Sequence, residues 1–158
     1  MKPVPGWKDS AFRKELLALY AETDLLLSPY GCDASAECCD FANTGREPYP
    51  TPAELAEVDR AMRERGIDLG RTKPAASKRA LPIAGRRRCP LLGDDLRCRI
   101  YASRPFGCRT YFCERMTGPN KLPRAELQRL SRAIADLSAR FAPRDPRPRP
   151  LLNALRDG

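Results

Sequence analysis

The sequence contains no histidine. That absence excludes Ser-His-Asp and Cys-His nucleophilic catalysis, every imidazole-ligated metal site and any histidine pH switch. Aromatic residues make up only 7% of the chain, with a single tryptophan, which leaves little for stacking nucleic-acid bases. No run approaches the roughly 20 consecutive apolar residues of a membrane helix. The opening stretch MKPVPGWKDS lacks the apolar segment of a secretory signal. Together these features predict a cytoplasmic protein with no membrane partner. Neither a glycine-rich phosphate loop nor an internal repeat is present, and no acid–base pair stands out. The chain therefore reads as a binding protein rather than an enzyme, with no catalytic residue to name.

Against these absences stand seven cysteines: Cys32, Cys38, Cys39, Cys89, Cys98, Cys108 and Cys113. An odd number in a chain without an export signal argues against a disulfide framework, because cytosolic thiols are kept reduced. A free cysteine also serves as a small buried apolar residue, which accounts for one or two scattered cases. It does not account for two clusters, C-x5-C-C followed by C-x8-C-x9-C-x4-C. A soft-metal site with thiolate ligands does. The side chains of adjacent Cys38 and Cys39 diverge, so one can ligate while the other faces a second metal, a cluster iron or the core. The irregular intervals differ from a zinc ribbon with two Cys-x2-Cys pairs. Zinc and an iron–sulfur cluster both remain open as the cofactor.

The formal net charge of +9 is unevenly placed. Eleven basic residues lie between Arg71 and Arg109, opposed only by Asp94 and Asp95, and the rest of the chain is balanced. Such a segment can meet phosphates, so nucleic acid enters as an alternative partner. It is not favoured, because no helix-turn-helix or RNA-recognition pattern accompanies it.

Sixteen prolines and ten glycines predict much loop and turn. Residues 10–26 carry Phe12, Leu16, Leu19, Tyr20 and Thr23 at helical spacing behind an Asp9 or Ser10 N-cap. Thr51-Pro52-Ala53-Glu54 reads as a capped helix start, with Leu55, Val58 and Met62 on one face and Gly66 as its stop. Residues 67–88 read as a basic loop. Gly93-Asp94-Asp95 signals a hairpin that brings Cys89 near Cys98. Leu127, Leu130, Ile134, Leu137 and Phe141 form the cleanest helical stripe, over 124–141. The expected fold is a small α-rich α+β protein. About three helices surround an irregular, cysteine-rich, metal-stabilised core that carries one short β-hairpin.

The cysteine pattern resembles a bacterial cysteine-cluster family with the signature C-x2-C-x2-C-C, described as a zinc- or iron-chelating domain. The resemblance begins at Cys32-Asp33-Ala34-Ser35-Ala36-Glu37-Cys38-Cys39 and passes through the Thr51-Pro52-Ala53-Glu54 helix start. It ends in Cys89-Pro90-Leu91-Leu92, Cys98-Arg99-Ile100-Tyr101 and Arg104-Pro105-Phe106-Gly107-Cys108-Arg109. About residues 30–113 are family-like, within a single domain over 1–142 that is followed by a Pro/Arg-rich tail over 143–158. One departure is Ser35, which stands where the family has its second cysteine. A hydroxyl is a poor ligand for a soft metal, so Asp33, Glu37 or Asp40 can substitute with oxygen, or Cys113 with sulfur. A related motif in flagellin lysine methylases makes a cluster-assisted modification or redox enzyme a further alternative.

A metal bearing four thiolates carries a net charge near −2, which is costly to bury without positive partners. Arg88, Arg97, Arg99 and Arg109 each neighbour a cysteine. They are expected to offset that charge and to depress the thiol pKa values. Arg104, before Pro105, is expected to bond backbone carbonyls or a sulfur. Arg97, Arg99, Arg104 and Arg109 are thus the candidates for second contacts to a bound centre.

Overall fold

The computed structural model describes residues 4–30, 36–69, 88–110 and 123–156. Helix α1 (Ala11–Leu27) starts where its cap predicts, with the Ser10 hydroxyl accepting the Arg13 N–H at 3.1 Å. After the short α2 (Phe41–Thr44) comes α3 (Pro52–Glu64). The Glu54 carboxylate accepts both the main-chain N–H of Thr51, at 2.8 Å, and its hydroxyl, at 3.0 Å. The helix stops before Gly66, whose φ of 61° suits a residue without Cβ. A one-turn α4 (Phe106–Arg109), then α5 (Arg124–Phe141) and α6 (Leu151–Arg156) complete the order. No described helix is long and apolar enough to cross a membrane.

The expected stripe of α5 is buried through Leu127, Leu130, Ile134 and Leu137. It packs on α1 and α3, joining Leu16, Tyr20, Ala53 and Ala56. Trp7, just ahead of α1, meets Phe141 edge-on at 4.9 Å between ring centroids. This half of the core contains no cysteine among the described residues. The second half lies across the other face of α3. There Leu55 and Val58 join Phe41, Cys39, Cys89, Leu91, Ile100 and the leucines of α6. The helices thus do not encircle the cysteines, as the sequence reading expects. Instead α3 separates an all-helical layer from a cysteine-bearing one, and it is buried on both faces.

One further expectation changes. Among the described residues there is no β-hairpin and no strand, only two isolated antiparallel bridges, Asp40–Arg88 and Leu92–Cys98. The turn itself is present, with Gly93 N–H donating to Arg97 O and Arg99 N–H to Leu91 O, both at 2.8 Å. It cannot extend into strands for two reasons. Pro90 has no N–H to give a ladder, and the chain coils into a 3-10 turn at Tyr101–Ser103 directly after Cys98. The end of the tail docks as the short helix α6. It folds back so that Arg149 N–H reaches Pro50 O at 3.1 Å, Leu151 N–H reaches Pro48 O at 3.0 Å, and Leu152 N–H reaches the Glu47 carboxylate at 2.7 Å. Most of the expected basic loop, 70–87, lies outside the described residues.

Candidate metal centre

Five cysteines from three segments reach one cleft of about 880 Å³. Cys38 and Cys39 sit on a 3-10 turn, Glu37–Cys39, with their sulfurs 3.9 Å apart. The Cys39 carbonyl accepts the Cys89 N–H at 2.8 Å, which joins the early and late cysteine groups through the backbone. Cys98 enters from the Leu92 bridge, and Cys108 from α4. Cys32, Ser35 and Cys113 lie outside the described residues. The five thiols share the cleft, but no three described Cys, Asp or Glu side chains converge as a finished coordination shell.

The electrostatics of the thiols run opposite to the expectation. Arg104 does lower both Cys38 and Cys98, yet the net direction for each is upward. For Cys38 the hydrogen bond with Cys39 outweighs it, followed by burial. Cys39 is lowered by Cys38 but raised by Cys89 and by burial, and ends at about 12. Burial alone dominates for Cys98 and Cys108. Loading a metal here therefore releases protons, as thiolate ligation requires.

The arginines divide by role. Arg88 is exposed and lies 3.8 Å from Asp40. Arg97 and Arg99 line the cleft, and the main-chain N–H of Arg97 donates to Asp95 at 3.0 Å. The guanidinium of Arg104 stacks 3.7 Å over the Tyr101 ring, and its Nε is buried with no acceptor among the described residues. The carbonyl bonds expected of Arg104 are made by Arg109. Arg109, 3% exposed, donates to Arg104 O at 3.0 Å and Ala102 O at 2.5 Å, pairs with Asp24, and lies 4.0 Å over the Tyr20 ring. It ties the turn before Cys108 to α1. Arg109→Lys is expected to cost about 2 kcal/mol in thermal or denaturant unfolding, because a point-charge ammonium cannot serve two carbonyls, a carboxylate and a ring face at once. Unchanged melting would contradict that role.

Sequence reasoning saw Glu54 only as a helix cap and missed Glu57, yet both carboxylates hang cysteine-bearing segments from α3. Glu54 accepts the Phe106 N–H at 2.7 Å and the Tyr20 hydroxyl at 3.2 Å. Glu57 accepts the Ser103 hydroxyl at 2.9 Å while holding Arg13 at 2.8 Å and Arg60 at 2.7 Å. Both are buried, at 3% and 0% exposure. No local signal singles them out, because α3 also carries Asp59, Arg60, Arg63 and Glu64.

The donor chemistry fits a soft metal: five thiols line the cleft, with guanidinium groups beside them to offset thiolate charge. Cys38, Cys39, Cys89, Cys98 and Cys108 are the described residues able to hold it. No curated protein and no solved structure matches the chain. Residues 31–130, most of the chain, match the model of the CxxCxxCC family, whose description is "Putative zinc- or iron-chelating domain", and the chain belongs to that family.

Proposed function

We propose that the protein binds zinc or iron through thiolates in this cleft, with Cys38, Cys39, Cys89, Cys98 and Cys108 as ligands and Cys32 and Cys113 completing the set. The observation that carries the reading is the arrival of five cysteines, up to seventy positions apart in sequence, at one cleft. An iron–sulfur cluster suits adjacent, irregularly spaced cysteines better than a mononuclear zinc site does. Arg104 and Arg65, which both act on Cys98, offset part of the charge that four thiolates bring. The protein works in the cytoplasm, where reduced thiols are free to ligate.

Elemental analysis and a visible spectrum of anaerobically purified protein test this reading. Iron with acid-labile sulfide and a brown colour identifies a cluster. Stoichiometric zinc in a colourless protein identifies a thiolate site. Cys98→Ser and Cys108→Ser are each expected to lower metal affinity by more than the roughly 10–100-fold that outer-shell partners cost. Full metal content in both variants, or no metal in the parent, would overturn the assignment.

A further inference from the structure

We propose that the same cleft also binds an organic anion, a small molecule whose phosphate or carboxylate is held by Arg65, Arg97, Arg99 and Arg104 beside the sulfurs. Three independent observations support this, and none of them requires the metal.

The first is size. A metal with bonds of about 2.3 Å to its sulfurs fills little space, whereas a cleft of about 880 Å³ lies within the roughly 300–1,000 Å³ of small-molecule sites. The second is charge. Five arginines line the cleft against one carboxylate among the described lining residues, Asp95, and that carboxylate already accepts the Arg97 main-chain N–H. Arg109 and Arg104 share Asp24, but Arg65, Arg97 and Arg99 form no ion pair among the described residues. Such unpaired guanidinium groups match the oxygens of phosphate and carboxylate two at a time. The third is an unmet donor. The Arg104 Nε is buried without an acceptor among the described residues, while its guanidinium is held in place on Tyr101. A buried N–H left unbonded is unfavourable, so a small turn of the Arg104 side chain toward an oxyanion in the cleft it lines is favoured. Ile67, Leu91, Ile100 and Leu151 supply an apolar wall for the rest of the ligand.

The test is equilibrium binding to the full-length protein as purified, with phenyl phosphate, benzoate, inorganic phosphate and phenol as probes. Phenyl phosphate or benzoate is expected to saturate at one per chain, more tightly than inorganic phosphate, and phenol is expected not to bind. The stronger of the two organic anions identifies the headgroup. Arg104→Gln and Arg65→Gln should each weaken that binding at least about tenfold, while Arg147→Gln, on an 84% exposed side chain paired with Asp145, leaves it unchanged. Should Arg104→Gln fail to fold, Arg65→Gln, at the exposed end of α3, tests the same guanidinium cluster. The proposal fails if no probe saturates, if phenol binds as well as phenyl phosphate, or if Arg147→Gln weakens binding as much as the cleft variants. Metal per chain, measured on the same samples, keeps the two readings apart. Probe binding without metal overturns only the metal assignment, and metal without probe binding overturns only this one.

Discussion

A chain ending at Arg149 is expected to lose its cooperative unfolding transition. The truncation removes Leu151, Leu152 and Leu155, which are 1%, 5% and 7% exposed, from the cluster that also contains Cys39 and Cys89. Each buried leucine contributes about 2–5 kcal/mol when cut to alanine. Three of them approach the roughly 5–15 kcal/mol that stabilises a whole domain. The hydrogen bonds from Leu151 N–H to Pro48 and from Leu152 N–H to Glu47 disappear with them. The cysteine-bearing layer should loosen first, because α6 covers that side of α3 and Leu151 itself lines the cleft. Circular dichroism against temperature, with metal content on the same samples, checks the result. A truncated protein that melts and loads metal like the full chain would show that α6 is an appendage.

Glu57→Gln is expected to cost about 3–5 kcal/mol, the usual loss when one member of a buried charge group is removed. The carboxylate is fully buried and accepts from Trp7 Nε1 at 3.1 Å, Arg13 at 2.8 Å, Arg60 at 2.7 Å and Ser103 at 2.9 Å. Burial alone would raise its pKa, but the hydrogen bonds from Arg60, Arg13, Trp7 and Ser103 outweigh it and hold the group down to about 2. The folded value lies below the ordinary 4.5, so the contribution is fully present above pH 4.5 and is lost as the pH falls from there through about 2. The parent protein should weaken across that window, and Glu57→Gln should be flatter there as well as less stable throughout. Parallel acid-unfolding curves for the two proteins would refute the assignment.

The helices were legible because their signals are local. Ser10, Thr51 with Glu54, and the five-residue stripe of α5 each specify an element from within one or two turns of chain. The arrival of Cys38, Cys39, Cys89, Cys98 and Cys108 at one cleft was also legible, since two clusters of thiols suit a shared site better than scattered packing roles. What was not legible depends on long-range packing. Nothing near Glu57 announces that Trp7, Arg13 and Ser103, up to fifty residues away, will surround it. The hairpin expectation rested on a correct turn, but Pro90 and the coil at Tyr101–Ser103 set how far pairing runs. Likewise, the arginines beside the cysteines suggested depressed thiols, whereas burial and sulfur–sulfur contact prevail in the folded chain.

The bond from Cys89 N–H to Cys39 O closes a stretch of about fifty residues. Cross-linking a loop of that length corresponds to roughly 4 kcal/mol of chain entropy. Packing of α3 against Cys39, Cys89 and their neighbours shares that closure, so it does not fall on a bound ion alone. Five thiols already line one cleft in the folded chain. Residues that hold this closure, such as those of α3, and the thiols at the cleft are largely different side chains, so scaffold integrity and guest affinity are open to separate tuning.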